Sequence, residues 1–294
     1  MLAGGRSSRM GTPKAALEWH GSTLLRRTVQ IVARATGGPV VVVRASGQRL
    51  PALPLGTVVV DDPREGNGPV QGIAAGLAAL AGLAGSGGPA ETAFVSSTDL
   101  PFLHPAYIRC VLGVLGEEGT DVALPVARGH RQPLAAAYRV SLAATAERLV
   151  AADRLRPADL FAECSVTTLD DARLRQDPAL AALDPDLDSV LNVNEPADYQ
   201  AARSRPAPEV TVGFAGVLAG TGWPAGPVTV RAATVRDAAD AAGVAFGGSI
   251  AIELFVTPEV IVTAALNGDP IAADGETPLA TGDNVLFQSA ATDR

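Results

Sequence analysis

The sequence predicts a two-domain α/β protein. A doubly wound, Rossmann-like sheet is expected over residues 1–202, a linker over 203–208 and a small α+β domain over 209–294. Three observations carry this. Apolar β-branched runs alternate with helix-period segments through the first two thirds of the chain. From Glu209 onward apolar residues recur at every second position, as in Val210, Val212 and Phe214, the period of half-buried strands. Between the two regimes Ala201–Pro208 reads Ala-Ala-Arg-Ser-Arg-Pro-Ala-Pro, a linker composition.

Taken in order, Trp19-His20-Gly21-Ser22 reads as a turn and cap. Leu24, Leu25, Val29 and Val32 then recur at helical spacing as far as Ala35. Gly37-Gly38-Pro39 stops that helix, and Val40–Val43 is a continuous run of the kind buried in parallel sheets. Val58–Val60 is a second strand, ending in Asp61-Asp62-Pro63, and Gly68-Pro69 opens a helix to Leu83. Ala93–Val95 is a third strand running into Ser96-Ser97-Thr98-Asp99-Leu100-Pro101, followed by a helix over Pro105–Leu115 and a strand over Val122–Pro125. Arg128–Leu134 reads as a polar loop leading to Ala137-Tyr138-Arg139. Helices near Leu142–Ala152 and Arg156–Glu163 flank a strand at Ser165–Leu169, and a last helix follows Asn192-Val193-Asn194-Glu195-Pro196. In an open α/β sheet of this kind ligands bind at the carboxyl ends of the strands, which places Asp61 and Asp99 there.

Composition narrows the function. The 294 residues are 47% hydrophobic and only 4% aromatic, with a formal charge of −8. That balance argues against a nucleic-acid surface, so any phosphate site must be a local positive pocket. Cys110 and Cys164 are far apart and match no metal spacing; His20, His104 and His130 are equally scattered. A reducing cytoplasm fits, and a disulfide framework does not. The Ala/Leu-rich run Gly72–Ala84 is too short to span a bilayer. We assign His20, Cys110 and Trp223 to packing or surface.

The stretch most suited to chemistry is Leu2-Ala3-Gly4-Gly5-Arg6-Ser7-Ser8-Arg9-Met10-Gly11-Thr12-Pro13-Lys14. Adjacent glycines allow a sharp turn and close approach to a ligand; the serines, arginines and backbone N–H groups supply an anion cradle. Lys14 is the only lysine of the chain. Arginine is a planar fork and lysine a compact point charge, so a site that seats one charge between phosphate oxygens discriminates between them. The alternative is a lysine surviving by chance in an arginine-biased composition. Such loops normally follow a buried strand, yet Met1 abuts this one, so the first strand is expected to be missing or to lie upstream.

The loop is neither a Walker motif nor Gly-x-Gly-x-x-Gly. It resembles the signature of the nucleotidyltransferases that make dinucleotide forms of the molybdenum cofactor, Leu-Ala-Gly-Gly-x-Ser-Ser-Arg-Met-Gly-x-x-Lys, and in particular that of the molybdenum cofactor guanylyltransferases. The resemblance covers residues 1 to about 202. It implies transfer from GTP to molybdenum-bound molybdopterin, whose terminal phosphate attacks the α-phosphorus and releases pyrophosphate. Leu2, Ala3, Gly4, Gly5, Lys14, Arg44, Asp61 and Asp99 are then nucleotide-binding, with Lys14, Arg9 and Asp99 catalytic. Mg²⁺ is the implied cofactor, with Asp99 and Asn194 as its ligands, while Arg131, Gln132 and Asn192 face the acceptor. The same residues also have plainer readings. Asp99 suits a turn before Pro101, Asp61 a strand end in solvent, Asn194 a helix cap, and Arg131 with Gln132 a solvated loop. Gly68-Pro69-Val70-Gln71-Gly72-Ile73 matches the family's Gly-Pro-Leu-x-Gly-Ile. Arg44 departs from it, since the guanylyltransferases usually carry Asn there, which keeps the cytidylyltransferase branch, using CTP, open. Sugar-phosphate nucleotidyltransferases fit less well, their loop typically reading Gly-x-Gly-Thr-Arg.

In the second domain, paired strands, a helix opened by Thr234-Val235-Arg236-Asp237 and an Asn267-Gly268 hairpin form a β-grasp order. The segment resembles the ubiquitin-like small subunit of molybdopterin synthase, particularly across Ala264–Pro270 and Thr277–Asp283. Those carriers end in Gly-Gly, whereas this chain reads Thr292-Asp293-Arg294. The expectation is an acidic docking module for other proteins of molybdenum cofactor biosynthesis that donates no sulfur. A different class of reading is a non-catalytic assembly scaffold, with the intact Lys14, Asp61 and Asp99 against it.

Overall fold

A computed structural model describes residues 1–4, 13–62, 66, 68–85, 88–216, 226–245, 260–271 and 275–291. The chain divides into two units, Met1–Trp19 with Thr23–Arg203 and His20–Ser22 with Ser204–Arg294.

In the first unit α1 spans Leu24–Thr36. Thr23 Oγ1 accepts from Arg26 N at 3.3 Å at its start, and Gly37, with φ 64°, ends it in the left-handed region. Strands β1 (Val41–Ala45) and β2 (Val58–Asp62) pair in parallel. Helix α2 (Pro69–Ala81) places proline in its first turn, where no N–H is missed. Then come β3 (Thr92–Ser96), α3 (Pro105–Glu118), β4 (Val122–Ala127), β5 (Ala135–Arg139), α4 (Ala143–Ala151), α5 (Pro157–Phe161), β6 (Val166–Asp170) and α6 (Pro196–Arg203). His104 caps α3 through Nδ1, which accepts from Ala106 N at 3.0 Å; this buried imidazole has a structural use.

Strands β6, β4, β5 and β3 lie side by side in that order. The short segment of residues 1–4 joins them to β1 and β2. Leu2 forms parallel bridges to Val43 and to Ser97, Leu2 N donates to Ser96 O at 2.8 Å, and Ala3 N donates to Val43 O at 2.8 Å. Residues 1–3 therefore take the central-strand place that the sequence reading had empty. Alternation across the strands fills two cores. Phe94, Ala123 and Ala137 face α1 and α3, while Val95, Leu124 and Tyr138 face α2 and α4. Helices thus cover both faces, as in a doubly wound sheet.

Two expectations are corrected. Residues 135–139 form a strand antiparallel to both β3 and β4, so the sheet is mixed. Ala135-Ala136-Ala137 carries little β propensity, and burial between two occupied strands decides its state. The linker expected from Ala201 begins later: Ala201–Arg203 continue α6, because Ala202 is buried against Leu17, Trp19, Leu24 and Val193.

The second unit contains β7 (Glu209–Gly216), β8 (Val228–Arg231), α7 (Val235–Ala245), β9 (Val260–Leu266), β10 (Asp269–Ile271) and β11 (Asn284–Ala291). They form one sheet in the order β8-β7-β11-β9-β10, with β7 and β11 parallel and the other pairs antiparallel. Asp237 N donates to Thr234 Oγ1 at 3.1 Å and Thr234 N to Asp237 Oδ2 at 3.0 Å, a reciprocal cap on α7. Asn267 (φ 54°) and Gly268 (φ 93°) form the tight turn between β9 and β10. Val210, Val212, Ala238, Leu266, Val285 and Phe287 belong to its core. Trp223, Asp274, Asp293 and Arg294 lie outside the described residues, as do Gly5 to Thr12 of the loop. Among the described residues no helix is long and apolar enough to cross a membrane.

Candidate active site

The carboxyl ends of β1, β2 and β3 converge with Gly4 on a cavity of about 380 Å³, lined among others by Gly4, Lys14, Asp62, Gly68, Ser97 and Asp99. Gly68 leads into α2 with φ +79°, a conformation that glycine adopts without strain.

Lys14 opens a single 3-10 turn, Lys14–Ala16, directly after Pro13. Its Nζ donates to Asp99 Oδ2 at 3.0 Å and to Asn194 Oδ1 at 2.8 Å. Three positions spread over 180 residues thus meet at one ammonium. Asp99 lies three residues past β3, where the strand gives way to Ser97-Thr98-Asp99. Ser97 Oγ donates to Asp99 Oδ1 at 2.5 Å, and Val193 N donates to Asp99 O at 2.9 Å. The second bond is what brings Asn194 alongside. Asp198 completes the arrangement by accepting from Asn194 N at 3.2 Å and Glu195 N at 3.0 Å at the start of α6. That helix is seated by Tyr199, whose hydroxyl donates to Glu18 O at 2.5 Å and whose ring lies 6.3 Å from Trp19. The same apolar cluster that seats α6 follows Lys14 by a few residues, so packing aligns both sides of the site.

The other expected residues fall into separate groups. Arg44 and Asp61 face each other across β1 and β2, with Arg44 Nε 2.7 Å from Asp61 Oδ1. Asp61 is exposed on the outer side of the pair, and it is Asp62 that lines the cavity. Arg44 Nη1 also donates to Gln48 O at 3.1 Å. Arg131 belongs to a two-residue strand returning along β4, and Gln132 Nε2 donates to Ala127 O at 3.3 Å; Leu134, two residues on, reaches the cavity. Asn192 is exposed beside the buried Val193. Gly5 and Arg9 lie outside the described residues. Sequence reasoning missed Asp62, Gln48 and Asp198. Asp62 was visible only as the neighbour of Asp61, and no pattern marks the other two.

Among the described residues no group of three or more His, Cys, Asp or Glu side chains is arranged to hold a metal. Burial pushes both thiols, Cys110 and Cys164, up to about 11, which leaves them protonated and poor nucleophiles at neutral pH. Among the described residues, chemistry at the cavity rests on the Lys14 ammonium, the Asp62 and Asp99 carboxylates, the Asn194 carboxamide and the glycine-led backbone. These are charge-placing groups, suited to phosphoryl-type transfer, where positioning and neutralisation matter more than a protein nucleophile.

Comparison with known proteins agrees. Residues 1–166 match the family described as the MobA-like NTP transferase domain. A probable molybdenum cofactor guanylyltransferase of Opitutus terrae is 33% identical over 207 residues, covering 70% of this chain and 95% of that protein. One from Pelotomaculum thermopropionicum is 32% identical over 203 residues, covering 69% and 90%. Among solved structures, molybdopterin-guanine dinucleotide biosynthesis protein A of Archaeoglobus fulgidus shares the fold, with a TM-score of 0.52 at 21% identity over 69% of this chain and 94% of that one. The chain belongs to the MobA-like NTP transferase family and is a nucleotidyltransferase.

Proposed function

We propose that the protein transfers GMP from GTP to molybdopterin, making a dinucleotide form of the molybdenum cofactor. The observation that carries this is Lys14 Nζ, held between Asp99 Oδ2 and Asn194 Oδ1 at the glycine-led cavity. The guanylyltransferase names of the relatives supply the substrate pair. In the reaction a terminal phosphate oxygen of the acceptor attacks the α-phosphorus of GTP. The bond from that phosphorus to the bridging oxygen breaks, and pyrophosphate leaves with the electron pair. Lys14 offsets charge on the triphosphate as a point cation, and Gly4 lets the backbone approach it closely.

Mg²⁺ fits the donor set. Asp99 and Asn194 already direct two hard oxygens at one cation, the lysine ammonium, and Mg²⁺ takes one or two protein oxygens with waters and phosphates as its remaining ligands. Asp99 and Asn194 would hold it, and when bound it would neutralise charge developing on the phosphates. Ser97, by donating to Oδ1, keeps the Asp99 carboxylate oriented.

A second reading, transfer from CTP, is favoured by Arg44, which pairs with Asp61 at the β1–β2 end. Incubation with Mg²⁺, molybdopterin and equal GTP and CTP, with product nucleotide identified by mass spectrometry, tests both. Predominant GMP transfer supports the proposal, and predominant CMP transfer replaces it with the second reading. We read the second unit as a β-grasp docking module for other proteins of the same biosynthesis. Its sheet order with a parallel central pair supports this, as do the ten carboxylates against four arginines in residues 204–294.

A further inference from the structure

We propose that Gln48 is a positioning residue for nucleotide binding, one that sets the orientation of the Ala3–Gly4 peptide; this rests on the nucleotidyl-transfer reading above. Gln48 closes the turn after β1, where its N–H donates to Ala45 O at 3.0 Å and Gly47 has φ 75°. Both ends of its side chain are used. Oε1 accepts from Ala45 N at 3.0 Å, and Nε2 donates to Ala3 O at 3.0 Å. Its main-chain carbonyl accepts from Arg44, which in turn pairs with Asp61. One residue therefore links the end of β1, the Arg44–Asp61 pair and the start of the glycine loop.

The geometry makes the Ala3 bond more than a surface contact. Ala3 N is held by Val43 O on one side and Ala3 O by the Gln48 amide on the other. A peptide unit is planar and trans, so holding the Ala3 carbonyl fixes the opposite direction of the Gly4 N–H. Gly4 lines the cavity and runs so close to β1 that a Cβ on it would stand 3.1 Å from Ala45 N, the group Gln48 Oε1 accepts from. Without the Gln48 amide nothing on that side holds the Ala3 carbonyl, and the Gly4 N–H loses its fixed direction. Gln48 does not line the cavity, so its effect is on binding through Ala3 and Gly4.

Two substitutions separate this from a role in the turn alone. Gln48→Met keeps the length and removes both side-chain bonds. Gln48→Glu keeps an acceptor for Ala45 N and sets a carboxylate against the Ala3 carbonyl. Calorimetric Kd for Mg-GTP is expected to rise about tenfold in Gln48→Met and at least as much in Gln48→Glu. Turnover at saturating GTP should stay within about twofold of wild type, with both variants showing a cooperative melt. Wild-type affinity in Gln48→Glu reduces the residue to a turn support and overturns the inference, as does a fall in kcat at unchanged Kd. A wild-type protein that binds no GTP overturns the proposed function and this inference with it, whereas equal Kd for wild type and Gln48→Met overturns the inference alone.

Discussion

Replacing Lys14 by arginine keeps the charge and changes its shape, and so asks what the site requires. Nζ sits 3.0 Å from Asp99 Oδ2 and 2.8 Å from Asn194 Oδ1, with the side chain 20% exposed. Two acceptors that share one point donor leave no room for a planar fork whose nitrogens are spread apart. The guanidinium must therefore stand off from one partner or displace it. Loss of one well-placed contact to developing charge is worth about 2.7–4 kcal/mol, or about 100–1,000-fold in kcat. The same pair contributes about 1 kcal/mol or less to stability, because it is part-exposed and screened. Pyrophosphate release with Mg²⁺, GTP and molybdopterin, set beside a thermal melt, reads both quantities. Lys14→Arg is expected to lose about 100-fold in kcat or more with a nearly unchanged melting temperature. Turnover near wild type refutes the point-charge argument, and a drop in melting temperature large enough to unfold the variant refutes the separation of catalysis from stability.

Asp99→Asn should abolish Mg²⁺-dependent turnover and leave the circular dichroism spectrum intact, because the side chain is on the cavity wall and not in a core; retained turnover counts against its role. Gly68→Ala should destabilise by roughly 1–3 kcal/mol, since φ is +79° and the added Cβ would lie 2.9 Å from Leu155 O; an unchanged denaturation midpoint contradicts this. Burial raises the Asp184 carboxyl above its ordinary range although it accepts from Asp188 N and Ser189 N. Its contribution to stability is then full below the ordinary carboxylate pKa and lost as pH rises through the raised value. Denaturant titrations should show wild type losing ground against Asp184→Asn as pH rises from about 4, and the opposite slope would contradict the burial argument.

The order of elements was legible in the sequence, because each local signal had one dominant physical cause. Val40–Val43 and Val58–Val60 are apolar on every residue and became the paired strands β1 and β2. Gly68-Pro69 opens α2, and Asn267-Gly268 turns β9 into β10, since few residues besides glycine and asparagine accept those dihedral angles. Lys14, Asp99 and Asn194 could be singled out by composition, by position at a strand end and by the family resemblance. Their meeting at one ammonium could not, because it depends on the packing of α6 against Leu17, Trp19 and Leu24 and on the bond from Val193 N to Asp99 O. Tertiary structure also decided the state of Ala135–Arg139, whose alanines carry no strand signal and pair antiparallel because β3 and β4 lie on either side. It turned Asp61 outward to Arg44 and gave the cavity to Asp62, an alternation set by the pleat of β2 that adjacent identical residues cannot announce. Local sequence determines dihedral preferences and apolar periods; which distant groups come within 3 Å is decided by the long-range packing that joins them.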